Sequence, residues 1–222
     1  MTETEWLTTC DPDLMLDHVR DSTSERKLRL FAIACCRSFW HLLSDEVSRQ
    51  AVEVAERYVD RLAPHEERDA ACRAAWSAIS LQSPERWKRA AALAAGRVVD
   101  SDWPLFGRWY GSSKFGKEHA WNAVMEIQNY PRRPERCHLI REIFGNPFRS
   151  VGIDKGCLQW NDGTVPRIAQ WIYDERSFDD LPILADALEE SGCRQAQLLA
   201  HCRAPGSHVR GCWALDLVLG KE

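Results

Sequence analysis

From residue 11 onward, apolar side chains recur at steps of three and four, the spacing that collects them on one face of a helix. Asp11-Pro12 is a helix-start signal, a capping side chain followed by proline at the first helical position, and it opens a short helix through Leu14, Met15 and Val19. Ser24 caps a longer one, predicted over 25–43, with Leu28, Phe31, Cys35, Phe39 and Leu42 on one face. Leu30, Ile33 and Ala34 add a second strip, so this helix is expected to be the central one, buried on most of its circumference. Ser44-Asp45 starts the next, whose inner stripe runs Val47, Ala51, Val54, Tyr58 and Leu62 until Pro64 ends it. Two Ala- and Trp-rich helices are predicted over 66–81 and 84–99, and another over 118–129 through Trp121, Val124 and Met125.

The second half repeats the pattern in shorter pieces. A helix over 134–144 turns Leu139, Ile140, Ile143 and Phe144 inward and stops at Gly145-Asn146-Pro147. Thr164 and Pro166 open one with Val165, Ile168, Ala169, Ile172 and Tyr173 on one side. Phe178-Asp179-Asp180 leads into another, with Leu181, Leu184, Ala185 and Leu188 inward and Gly192 as its left-handed terminal residue. Helices over 194–203 and 208–219 finish the chain. Two stretches break the periodicity: 100–117, where glycine, proline and serine punctuate five aromatics, and 146–163, expected to hold one or two short extended pieces. The expected fold is all-α, an irregular multi-helix bundle of about nine to eleven helices with a long aromatic loop and a C-terminal helical lobe. The expected division is 1–130, an N-terminal helical bundle carrying loop 100–117, and 131–222, the C-terminal lobe, packed together as one body.

Composition narrows the function classes. A chain of 222 residues with 45% hydrophobic residues and ten tryptophans can build its core without a metal or disulfide staple. The formal net charge of −4 provides no global field for nucleic acid or an anionic membrane. The acidic start Met1-Thr-Glu-Thr-Glu-Trp6 is unlike a secretion signal, and no stretch is apolar enough for a membrane span, so a cytoplasmic address and reduced thiols are expected. Nine cysteines, an odd number, then read as buried apolar groups or metal ligands.

Three phrases carry a resemblance. They are Glu25-Arg-Lys-Leu-Arg-Leu-Phe-Ala-Ile-Ala-Cys-Cys-Arg-Ser-Phe-Trp40, Leu139-Ile-Arg-Glu-Ile-Phe-Gly-Asn-Pro-Phe-Arg149, and Leu181 to Cys193 continuing to His-Val-Arg-Gly-Cys-Trp213. Together they resemble a set of planctomycete paralogues, some of them associated with an immunity-protein superfamily named after a yeast cell-wall assembly regulator. The resemblance covers roughly 5–63 and 137–222 and implies no reaction or catalytic residue. The helical periodicity departs from the mixed α/β pattern of that superfamily.

Candidate chemistry concentrates at the C-terminus. Cys193, Cys202, His208 and Cys212, with His201 as an alternative fourth member, surround the Pro205-Gly206 turn. His208 and Cys212 are four apart, so on one helix they share a face, and a closed Cys/His set is the chemistry of a structural zinc site. Buried thiols with capping histidines are the competing reading. Cys35-Cys36 point about 100° apart on a helix, which suits packing better than ligation. Gly111-Ser-Ser-Lys-Phe-Gly-Lys117 imitates a phosphate loop, but Glu118 replaces the hydroxyl residue that binds magnesium. His65-Glu66-Glu67-Arg68-Asp69 lacks the second histidine of a zinc-protease helix. The acidic run from Asp174 to Glu190 reads as a solvated face, with Arg132, Arg133, Arg136 and Arg141 as pairing candidates.

Two functional expectations follow. One is a non-enzymatic protein–protein interaction module binding a protein partner through Trp103, Phe106, Arg108, Trp109, Tyr110, Lys114, Phe115 and Lys117. The other is a zinc-binding protein, or a metal-dependent enzyme or regulator, centred on the C-terminal cluster.

Overall fold

The structure, a computed structural model, describes residues 1–43, 45–78 and 133–221. Among the described residues there are ten α-helices and no strand, so the chain is all-α. They are α1 (Glu3–Thr8), α2 (Pro12–Val19), α3 (Glu25–Ser38), α4 (Glu46–Val59), α5 (His65–Ala78), α6 (Arg133–Phe144), α7 (Lys155–Glu175), α8 (Leu181–Glu190), α9 (Ala196–Arg203) and α10 (Trp213–Leu219). None is long and apolar enough to cross a membrane.

Local chemistry explains most boundaries. Asp11, Ser24 and Asp45 cap α2, α3 and α4 by accepting from Asp13, Lys27 and Ser48 backbone N–H groups. α1, which the apolar periodicity does not reveal, is closed by a capping box. Thr2 Oγ1 accepts from Glu5 N at 3.2 Å, and Glu5 Oε2 accepts from Thr2 N at 2.7 Å. α3 stops at Ser38, short of the predicted 43. The Ser38 hydroxyl donates to Cys35 O at 2.7 Å, competing for a helical carbonyl, and a 3-10 turn, Trp40–Leu42, follows.

The stretch 146–163 contains helix where short extended pieces were expected. α7 begins at Lys155 under an Asp154 cap, then breaks at Trp160–Gly163. Asn161, Asp162 and Gly163 all take left-handed φ values of 47°, 55° and 77°, which asparagine, aspartate and glycine tolerate best. Pro166 lies in the first turn after that break, where its missing N–H costs little.

The chain forms two compact units. One is Ser22–Arg136 and contains α3, α4 and α5. Its core gathers Leu28, Phe31, Ile33, Cys35 and Cys36 of α3 with Ala51, Val52 and Val54 of α4. Burial pushes the Cys35 and Cys36 thiols well above their ordinary range, which leaves them as packing groups. Glu56, buried here, receives two hydrogen bonds from Arg37, at 3.0 and 2.6 Å.

The other unit joins Met1–Asp21 to Cys137–Glu222, a grouping that crosses the chain-order division at 130. Its core is built from Val165, Ala169 and Ile172 of α7, Leu181, Leu184 and Leu188 of α8, Leu198 of α9, and Leu215 and Val218 of α10. The N-terminal residues are tied in by polar contacts. Trp6 is fully buried, and its indole N–H donates to Gly145 O at 3.1 Å. Arg141 donates to the carbonyls of Trp6 and Thr9 at 2.7–3.0 Å, using its charge on helix ends instead of on the acidic run.

A candidate metal centre of glutamate, histidines and cysteine

Four side chains from distant parts of the chain converge in the second of these units. Glu142, His201, His208 and Cys212 each offer one ligand atom, and the four atoms lie within 4.8 Å of one another. His208 Nδ1 is 2.8 Å from Glu142 Oε1, His201 Nε2 is 3.5 Å from Glu142 Oε2, and His201 Nε2 is 3.1 Å from Cys212 Sγ. Cys212 is completely buried and Glu142 is 3% exposed.

Each residue reaches the cluster for a local reason. α6 ends at Gly145, whose φ of +68° glycine adopts without strain. An added Cβ there would meet the Trp213 ring at 3.1 Å, so glycine also lets α6 approach the start of α10. That approach sets Glu142 one turn before the helix end, opposite His201 and Cys212. His208 and Cys212 meet without sharing a helix. Residues 208–212 form a turn closed by Cys212 N donating to Val209 O at 3.0 Å, with Gly211 at φ +90°, and α10 starts only at Trp213.

Of the expected metal residues, His208 and Cys212 belong to this cluster, His201, the alternative fourth member, is there too, and Glu142 joins them, while Cys193 and Cys202 are not part of it. Cys202 is adjacent to His201 on α9, so the two side chains point about 100° apart and only one can face the cluster. Cys202 instead fills the apolar core, where burial pushes its thiol up to about 12. Cys193 is a core residue as well. Glu142 was legible only as an anomaly, an acid on the inward face beside Ile143 and three residues after Leu139. The aromatic-loop residues Trp103, Phe106, Arg108, Trp109, Tyr110, Lys114, Phe115 and Lys117 lie outside the described residues.

Donor and acceptor chemistry assigns the protons. An indole can only donate, so the 3.1 Å contact from Trp213 Nε1 makes His201 Nδ1 an acceptor. The proton of neutral His201 therefore sits on Nε2, facing Cys212 and Glu142. His208 Nε2 faces Ala204 O at 3.4 Å, a carbonyl that can only accept, so this nitrogen carries a proton. His208 Nδ1 is then left to meet Glu142 either as a second N–H or as a lone pair available to a cation. In the metal-free protein the histidine contacts hold Glu142 at about 2 against the opposing effect of burial. Burial lowers the His208 pKa, but the hydrogen bond and negative charge of Glu142, with smaller help from Ala204 O and Asp179, together outweigh it and leave the histidine above its ordinary value. Burial, reinforced by the Glu142 charge, pushes the Cys212 thiol well above its usual range.

A cysteine, a histidine and a carboxylate in contact also outline a nucleophilic triad. Here the sulfur has no accessible surface and the thiol form is favoured, so a substrate cannot reach it and attack is not activated. The donor set suits a metal better. Comparison with protein-family models, curated proteins and solved structures returns no match.

Proposed function

We propose that the protein holds one divalent ion of the zinc class at Glu142, His208 and Cys212, and that this ion acts as a structural lock between the end of α6, the 208–212 turn and the start of α10. Convergence of four donor atoms in a buried site, from segments up to 70 residues apart in sequence, is the observation that carries the reading. Two anionic ligands, a carboxylate and a thiolate, neutralise a dication, which is what a buried site requires. Thiolate and imidazole favour zinc over magnesium or calcium. His208 ligates through Nδ1 while its Nε2–H rests on Ala204 O, the usual way such a ring is oriented. His201 has the supporting role. With Nδ1 occupied by the Trp213 N–H, its Nε2–H donates to the Cys212 sulfur instead of binding the ion.

Membership of the planctomycete set is part of the same proposal. Glu142 and the segment from His201 to Cys212 both lie in phrases that carry the resemblance. So is a reducing, cytoplasmic address, supported by nine free cysteines.

Metal analysis of protein purified without chelators tests the reading. About one equivalent of zinc is expected, and less than about a tenth of an equivalent rejects it. Cobalt substitution should add the intense near-ultraviolet band of cobalt–thiolate ligation, and Cys212→Ser should abolish it.

A further inference from the structure

The unit Ser22–Arg136 contains a different kind of site, an open groove of about 500 Å³ whose lining includes Glu25, Arg26, Arg29, Tyr58, Arg61 and His65. Glu25 and Asp60 pair with Arg29 and Arg26, which leaves the charge of Arg61 as the net positive charge of this wall in a chain whose net charge is −4. The first turn of α3, at Glu25 and Arg26, and the first residue of α5, His65, both border it, so two helix N-termini add their partial positive charge.

Arg61 is the informative residue. α4 ends in a turn where Arg61 N donates to Tyr58 O at 2.9 Å and Leu62 N donates to Arg57 O at 2.8 Å. This pattern puts Arg61 at the left-handed position, φ +60°, that glycine normally fills. An arginine is strained there, and strain retained at an exposed turn points to a use for the side chain. His65 is set up the same way. Buried Arg68 donates to Tyr58 Oη at 2.8 Å, which favours the arrangement in which the tyrosine proton points to His65 Nδ1, 3.0 Å away. Neutral His65 then presents Nε2–H as a donor. Arg26 and Arg29 are held in place by Asp60 and Glu25, at 3.2 and 2.7 Å, and are fixed parts of the groove's wall.

We propose that this groove binds the phosphate group of a small phosphorylated molecule, with Arg61 and His65 as its principal donors. The groove is several times larger than a phosphate ion, and Val59, Ala63 and Pro64 give it an apolar wall for the organic part.

Calorimetric titration of the full chain with inorganic phosphate and with phenyl phosphate tests the proposal. Both should saturate at one site, phenyl phosphate about fivefold tighter for the apolar wall it covers. Arg61→Gly should weaken phenyl phosphate at least about tenfold while raising Tm by about 2–4 °C, because it removes the strain. Arg149→Gln, in the other unit, should leave binding unchanged. Equal affinity of the wild type and Arg61→Gly, or no saturable binding, overturns the site. Equal affinity for the two probes overturns the organic-phosphate class and leaves inorganic phosphate as the ligand.

Discussion

Among the described residues each unit buries one glutamate, and the two are neutralised by different means. Glu56 is 4% exposed and is gripped through both oxygens by Arg37, whose guanidinium also lies 3.9 Å over the Trp40 ring. That cation is permanent, because arginine does not lose its proton in a folded protein. Glu142 is 3% exposed, and the groups that shift its proton are two histidines. Its neighbours are a proton-exchanging ring, a ring fixed as a donor by Trp213, and a thiol. A carboxylate needed only for packing is best served by the first arrangement. The second keeps exchangeable protons around a buried negative charge, which leaves room for a metal ion to take their place.

The largest effects should come from removing each glutamate's own counter-charge. For Glu142 this means stripping the ion. At a metal concentration about a thousandfold above Kd the bound ion contributes about 4 kcal/mol, so chelation should lower Tm by roughly 10 °C. Protein with Cys212→Ala should start from that lower Tm and show no response to chelator. A chelator-insensitive wild type would erase the contrast. For Glu56, Arg37→Ala removes two charge-assisted hydrogen bonds from a buried carboxylate and should cost about 3 kcal/mol by urea denaturation, with or without metal.

The metal-free protein should separate the two glutamates by pH as well. Glu142 has a folded pKa of about 2, below its unfolded value of 4.5, so its contribution is present above pH 4.5 and is lost as pH falls toward 2. His208 has a raised folded pKa, so its contribution is complete below 6.5 and is lost as pH rises through the folded value. In chelator, stability should therefore peak between about pH 4.5 and 6.5, and Glu142→Gln should flatten the acid limb by about 3 kcal/mol. An unchanged acid limb in that variant would show that Glu142 is not the group responsible.

Smaller effects test the division of labour inside the cluster. His201→Phe should weaken zinc by about 10–100-fold, the usual cost of losing a supporting contact, whereas His208→Phe should remove measurable binding. Equal losses would make His201 a ligand and require the Trp213 indole to turn away on loading. Trp213→Phe frees Nδ1 and should change affinity by less than about tenfold, the smallest effect in the set.

These tests aim at features of unequal legibility. The helices were readable because capping and periodicity are local. Ser24, Asp45, Pro166 and Gly192 act within a turn of themselves, and the Thr2–Glu5 box that makes α1 was in plain view for the same reason. His208 and Cys212 were readable because they are close in sequence, although a turn and not a shared helix face brings them together. The choice between His201 and Cys202 needed the rotation of α9 against its core, which apolar neighbours on other helices set.

By itself, then, the sequence determined the all-α class, most helix starts and the segment that supplies three of the four cluster residues, since each depends on residues within a few positions of one another. Only the tertiary structure could supply Glu142, 59 residues before His201, and bring Met1–Asp21 into the same unit as Cys137–Glu222. Both depend on which helix ends pack together. Here that is decided by the close approach of Gly145 to Trp213 and the hold of Arg141 on Trp6 and Thr9.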